Sequence, residues 1–396
     1  MINFNNFLTE AASDESRLTH LEHAEDHVIN DGDKGYAHAF HNLQDTHDKL
    51  HGKHNKTTVM TKYDGSPSIV FGHHPETKKF FVATKSAFNK NPKLNHTEAD
   101  IEKNHGHAPG LVTKLKHALK HLPKVTPKEG IYQGDLMHSG TKASHKEGDV
   151  DDHGGKYHFK PNTITYSTKK NSEEGKKIAK SKLGVVVHTA YKGKTLEHMK
   201  PDYAPDLSHF KHHEDVHMIN NRNDVQHAKM TPEQHKSFTT HMHAATKHFN
   251  ETPPEAHKSI QGHETHLKTY INKTVRDNTK PTVAGYQSHL KDKYIKEIGK
   301  VKTAKSIEAK SAAMKKDLSH VEKNKEHFGS VLKMHHHLQQ AKDQLVHAMS
   351  SHQKFEHHIG GVKTKPEGYV VVRNNRPTKL VDRSEFSRAN FLKNEK

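Results

Sequence analysis

The chain predicts an α+β fold: antiparallel sheets preceded by a short helical segment and interrupted by a long helical insertion. Three observations carry that expectation. Short runs rich in β-branched and aromatic residues, bounded by Gly, Asp, Asn and Pro, fall in two blocks, roughly 57–190 and 367–381. Between the blocks, apolar residues recur every three or four positions, the spacing of helices. Only 31% of the 396 residues are apolar and mean hydropathy is −1.01, so the core has to be concentrated in a few elements. The domains read as a leader over 1–12, N-terminal helices over 13–55, a first part of the sheet core over 56–200, the helical insertion over 201–358 and the last core strands over 359–396.

In chain order, Leu18, Leu21, Ala24 and Val28 make a helical stripe that Asp31-Gly32 breaks, and Tyr36, Phe40, Leu43 and Leu50 make a second. Strands are predicted at 57–62, 68–71 and 80–84. Leu111, Leu115, Leu119 and Leu122 then mark a helix closed by Pro123. Further strands follow at 130–137, 157–166 and 184–190, with a loop rich in Gly, Asp and His at 140–155. In the insertion, Thr231-Pro232-Glu233-Gln234 is a capping box with proline at the first helical position. Phe238, Met242, Ala245 and Phe249 form the stripe behind it. Ile307, Ser311, Met314, Leu318 and Val321, then Leu338, Leu345 and Ala348, read as packing seams of antiparallel hairpins. Strands return at 367–373 and 378–381, and Glu385, Phe386 and Phe391 sit in a short terminal helix.

The charge balance narrows the partners. Net charge is +17, and only 7 of the 63 basic residues are arginine. Lysine is a point charge suited to phosphate, whereas base edges are read by the forked guanidinium. The expected partner is therefore a nucleic-acid backbone, bound without sequence preference and weakened by salt. No run of about 18 apolar residues offers a membrane span. The absence of cysteine rules out disulfides and thiolate chemistry. The 43 histidines read as drift on exposed helical faces.

The chemistry-bearing stretch is Thr61-Lys62-Tyr63-Asp64-Gly65-Ser66, where a lysine at a strand's end is followed by an acid and a glycine. Composition alone gives about 0.2 matches to Lys-x-Asp-Gly in a chain of this make-up, so context has to support it. Lys62-Tyr63-Asp64-Gly65 resembles the nucleotidyl-lysine motif of the covalent nucleotidyltransferases, the superfamily of ATP-dependent DNA ligases, RNA ligases and messenger-RNA capping enzymes. Val82-Ala83-Thr84-Lys85, Tyr132-Gln133-Gly134-Asp135-Leu136, Gly184-Val185-Val186-Val187-His188, Glu367-Gly368-Tyr369 and Thr378-Lys379-Leu380-Val381 resemble its later motifs, in the right order. The resemblance implies a ligase adenylation-domain-like fold that uses ATP and Mg2+. Lys62 would be the nucleophile. Asp64, Gly65, Lys85, Asp135, His188, Lys379 and Arg383 would contact the nucleotide, and Glu367 with Asp135 would hold the metal. An ordinary lysine has a pKa of ~10.4, so neighbouring cations or burial have to free its lone pair.

Departures qualify the likeness. Asp135 stands where the superfamily has a glutamate, His188 where it has an aromatic ring, and Arg383 replaces a second lysine. Only 13 residues follow Arg383, too few for an OB fold, which favours action on single strands over nicked duplexes. The whole chain is also similar to an uncharacterised family of large tailed-phage proteins, through Leu21-Glu22-His23, Phe88-Asn89-Lys90-Asn91-Pro92-Lys93, Pro161-Asn162-Thr163 and 379–386. Its Leu8-Thr9-Glu10-Ala11 resembles leaders cut after Leu-x-Glu in phage proheads. That implies the host cytoplasm or the interior of a virion head.

The expectation is an ATP-dependent nucleotidyltransferase, RNA-ligase-like. The alternative is a non-catalytic DNA-binding head protein with a degenerate ligase-like fold, and a weaker third reading transfers the nucleotide to protein. His213-Glu214-Asp215-Val216-His217 fits the zinc-protease pattern, but about 0.3 such matches arise by chance, so it is set aside.

Overall fold

The computed structural model describes residues 21–384 except 144, 145, 147, 224, 226, 227, 351 and 352. The leader at 1–12, Leu18, and the terminal stretch with Glu385, Phe386 and Phe391 lie outside the described residues. Strands form where β-branched residues alternate with smaller or polar ones. β1 (Thr58–Thr61) pairs antiparallel with β13 (Gly368–Arg373), and β13 with β14 (Arg376–Val381). The β13–β14 turn is Asn374-Asn375, both at positive φ, the backbone a tight two-residue hairpin demands and asparagine tolerates. The pairing of β1 with β13 joins segments about 300 residues apart, and it sets Lys62 beside Gly368: the Lys62 amide donates to the Gly368 carbonyl at 2.9 Å.

A second, larger sheet runs in the order β10 (Val216–Met218), β8 (Leu183–Lys192), β4 (Ile131–His138), β2 (Ser68–His73), β3 (Phe80–Ala83), with β9 (Lys200–Asp202) also on β8. One face packs Ile69, Phe71, Leu136, Val185 and Val187 against α3 (Pro109–His121), through Leu115 and Ala118. A third sheet has the order β12 (Val362–Thr364), β11 (Glu356–Ile359), β7 (Thr165–Lys169), β6 (Lys156–Phe159), β5 (Asp151–His153). The expected single strand at 157–166 is thus two, because Pro161-Asn162-Thr163 turns the chain between β6 and β7. The antiparallel α+β class holds. Among neighbouring strands of the described residues, β10–β8 is the one parallel pair.

Helices form one layer. α1 (His27–Leu50) packs with α5 (Pro232–Glu251), α7 (Glu264–Asp277), α8 (Val283–Ile298) and α10 (Lys325–Met349) around a core that includes Tyr369, Val371 and Leu380 of the first sheet. The capping box at Thr231 and Gln234 is present, and the Asp31-Gly32 break is a kink inside α1. Gly32 has φ +56, and a Cβ there would lie 2.3 Å from the His257 ring, so only glycine fits. Residues 201–231, expected within the helical insertion, instead carry β9 and β10, and continuous helix begins at Pro232. The Ile307–Val321 seam is thin: of α9 (Ala304–Lys323) only Val321 is buried, and Ile307 is exposed.

The two ends of the described chain meet over α10 in a buried charge cluster. Glu25 and Asp26, in a 3-10 turn, face Lys342 (2.8 Å to Glu25), His335 (2.9 Å to Asp26) and Arg383 (2.9 Å to Asp26). Asp343, next to Lys342, has an Oδ1 with no hydrogen-bond partner. Burial raises its carboxyl from 3.8 to about 6 against the pull of Lys342. Between those two values the folded chain keeps a proton that the unfolded chain has released, so this group costs stability as pH rises through that window. Asp343→Asn removes the cost. It should raise Tm relative to the parent at pH 7.5 and give a smaller gain at pH 4, measured by thermal melts at both pH values.

Candidate active site

Between the first and second sheets lies a cavity of about 190 Å³. From the first sheet, Met60, Lys62, Val370 and Pro377 reach it; from the second, Gln133, Asp135, Val186 and His188 do. The second sheet reaches the cavity through an irregularity. Gln133 pairs with Thr189 and Gly134 with Val187, which leaves His188 as an extra residue, a β-bulge. Such a bulge re-aims side chains, and here it turns Val186, His188 and Thr189 toward one space. Gly134 permits the approach, since a Cβ there would sit 2.4 Å from the Val186 carbonyl.

Lys62 Nζ donates to Glu367 Oε1 at 2.6 Å. Both side chains are mostly but not wholly covered, at 28% and 17% exposure, so a ligand can still reach the amine. The second oxygen of Glu367, Oε2, is buried without a partner. Asp135 Oδ2 lies 3.8 Å from His188 Nε2, and His188 Nδ1 meets Thr189 Oγ1 at 2.9 Å. Lys85 is exposed at the cavity wall, starting a 3-10 turn capped by Thr84. Lys379 pairs across the hairpin with Val370, and directly opposed residues share a face, so its side chain lies on the cavity side of the sheet. Burial lowers the pKa of Lys379, and the charge of Lys62 pushes the same way, while Asp26 opposes both.

Lys62, Lys85, Asp135 and His188 therefore meet around one cavity, with Glu367 bonded to Lys62 and Lys379 on the same sheet face. Three expected nucleotide contacts sit elsewhere. The Asp64 carboxylate accepts from Asn162 Nδ2 (2.9 Å) and the Thr163 amide (2.8 Å), pinning the β6–β7 turn. Gly65 packs on β4, where a Cβ would lie 2.5 Å from the Asp135 Cβ, so it serves close approach rather than ligand contact. Arg383 is buried and spends its guanidinium on Asp26 and Asn272, because the chain after β14 turns under the helical layer. The Gln133, Tyr203 and Asn221 walls were not anticipated. Tyr203 and Asn221 come from 201–231, where Pro201 and Pro205 are the signal against helix. The zinc-protease pattern fails physically: residues 213–217 run from a turn into β10, the Asp215 carboxylate holds Lys124 and Lys182, and His217 bonds Glu174 at 2.6 Å.

Next to the cavity, a more open groove of about 510 Å³ carries Lys56, Lys192 and Lys200 along the same sheet edges. Among the described residues no helix is long and apolar enough to cross a membrane. Fold and site together define a mixed α+β protein whose largely antiparallel sheets hold a lysine–carboxylate pair at the rim of a cavity. The chain belongs to the family of unknown function DUF6267, whose profile matches residues 18–396. No curated protein and no solved structure matches it.

Proposed function

We propose that the protein is a covalent nucleotidyltransferase, which loads a nucleotide from ATP onto Lys62 and passes it to a polynucleotide 5′-phosphate, as RNA ligases do. One observation carries the reading: Lys62, Lys85, Asp135 and His188, from four segments in the order the resemblance requires, line a single cavity, and Glu367 is bonded to Lys62 at its rim. At about 190 Å³ the cavity is smaller than the roughly 300–1,000 Å³ of sites that enclose a whole ligand. It takes the nucleoside end and leaves the phosphates toward Lys62 and the exposed Lys85.

Lys62 Nζ attacks the α-phosphorus. The P–N bond forms as the P–O bond to pyrophosphate breaks, and the amine's proton leaves through Glu367 Oε1, already at 2.6 Å. His188 and Val186 hold the base, and Lys379 adds positive charge on the reacting face. The donor set fits Mg2+: two carboxylates, Asp135 and Glu367, one with a buried oxygen that lacks a partner. Bound there with phosphate oxygens, the ion would neutralise triphosphate charge. In the second step a 5′-phosphate oxygen attacks the same phosphorus and the P–N bond breaks, returning Lys62. The lysines of the adjoining groove lie where the polynucleotide backbone would run.

The test is incubation with α-labelled ATP and Mg2+. One label per chain, mapped to Lys62 with release of pyrophosphate, supports the reading. Unlabelled protein that still binds DNA in a salt-sensitive way would instead favour the non-catalytic head-protein alternative. A base stacked on a ring is worth about 1–3 kcal/mol. His188→Ala should accordingly raise KM for the nucleotide by roughly tenfold with kcat little changed, and His188→Phe should recover most of the loss; initial rates of labelling against ATP concentration check this.

A further inference from the structure

We infer that the protein carries a tri-histidine site for a divalent transition metal of the zinc class, formed by His47, His51 and His235, remote in kind and chemistry from the lysine cleft. His47 lies in the last turn of α1, His51 caps that helix four residues on, and His235 lies in the first turns of α5. One ring nitrogen from each lies within 4.8 Å of the other two.

The ring orientations are fixed by groups behind them. His51 Nδ1 lies 2.8 Å from the His47 carbonyl. A carbonyl only accepts, so the proton is on Nδ1 and the His51 Nε2 lone pair is bare. A backbone carbonyl behind an imidazole is the usual outer support of a metal-bound histidine. The His47 ring is stacked on Phe238, centroids 4.4 Å apart and planes within 2°, which locks its aim. Its Nε2 points at His235 Nδ1, 3.0 Å away, while its Nδ1 is buried without a hydrogen-bond partner, 3.6 Å from the Asp48 carboxylate.

The spacing suits zinc. Two nitrogens bound at about 2.05 Å in a tetrahedron are roughly 3.3 Å apart, so the His47–His235 separation needs to open by only a few tenths of an ångström. On binding, the proton shared between those two rings moves to the other nitrogen of its own ring, and for His47 that nitrogen faces Asp48. His51 and His235 are exposed, so the metal has a route in and water completes the fourth position. Imidazole donors select this class over Mg2+ and Ca2+, which take oxygen. Among the described residues one other cluster of this type occurs, Glu25, Asp26 and His335, and its carboxylates are already paired with Lys342 and Arg383. A metal at His47 would clasp the end of α1 to the start of α5, just ahead of the strand that delivers Lys62.

With 43 histidines, bulk binding proves nothing, so the experiment has to be site-resolved. Untagged full-length protein is titrated with Co2+ and followed by visible absorption, and with Zn2+ by calorimetry and thermal melting. Expected are one tight equivalent with the intense bands of tetrahedral cobalt and a Tm that rises with Zn2+. His51→Ala and His235→Ala each weaken that equivalent by roughly a hundredfold or more, since even outer supports are worth 10–100-fold. Both positions are exposed, so both variants should fold. The double variant His209→Ala, His212→Ala, which removes exposed histidines elsewhere, leaves the tight equivalent unchanged. The assignment is overturned by weak, multiple, octahedral binding only, by no binding, or by a tight equivalent that survives His51→Ala and His235→Ala.

Discussion

Lys62→Ala is expected to take no label from α-labelled ATP while losing no more than about 1–2 kcal/mol of stability. The stability limit follows from exposure. Lys62 keeps 28% of its side chain in contact with solvent, so water can enter and solvate Glu367 when the ammonium is removed. The loss of labelling is total because, among the described residues, no other amine at the cavity wall sits beside a proton acceptor; Lys85 lines the wall but is exposed on a turn. Lys62→Arg separates chemistry from folding. A guanidinium keeps the charge and can still bond Glu367, yet it stays protonated at any working pH and cannot attack phosphorus. Parent-like melting without label in Lys62→Arg is therefore the sharper result. Label retained in either variant would end the nucleotidyltransferase proposal, whereas salt-sensitive DNA binding should be unaltered in both, because the proposed backbone path runs along Lys56, Lys192 and Lys200 and not over Lys62.

What could be read from the sequence was whatever depends on neighbours along the chain. Lys62 and Glu367 were legible because each flanks a β-branched run, Lys62 just after β1 and Glu367 just before β13. The Thr231 capping box and the stripe behind it were legible for the same local reason. What failed depends on contacts across hundreds of residues. Nothing near Asp64 reveals that a turn 100 positions later will claim its carboxylate, and nothing near Arg383 reveals Asp26. The bulge at His188 is a mismatch between two strands, which neither strand shows alone. β11 and β12 escaped notice because Glu356, His357, His358 and Lys363 are poor strand formers, held in place by pairing with β7 and with each other. The histidines escaped as well: read as drift, three of them turn out to face one another across two helices.

Lys342→Ala should be the most damaging single change to stability, about 3–5 kcal/mol at pH 7. Lys342 and Glu25 are both fully buried, and they bond each other at 2.8 Å. Burial alone would raise the Glu25 carboxyl, but Lys342, then His23 and Arg383, hold it down at about 2. A group held below its unfolded value adds stability that is present above that value and lost as pH falls through the folded one. Removing the ammonium leaves a buried carboxylate with Arg383 at 3.6 Å as its remaining strong cation, and it leaves a cavity as well. Lys342→Met fills most of the space and isolates the charge effect. Adding Glu25→Gln to Lys342→Met should then recover part of the loss, since a neutral amide costs far less to bury than an unpaired charge. Acid should narrow the deficit of Lys342→Ala, because protonating Glu25 removes the unpaired charge that causes it. Urea unfolding of the four chains at pH 7 and pH 4.5 measures each difference. A Lys342→Ala cost below about 1 kcal/mol at pH 7 would mean that water or a shifted Arg383 reaches Glu25, and that the two ends of the described chain are not sealed against α10.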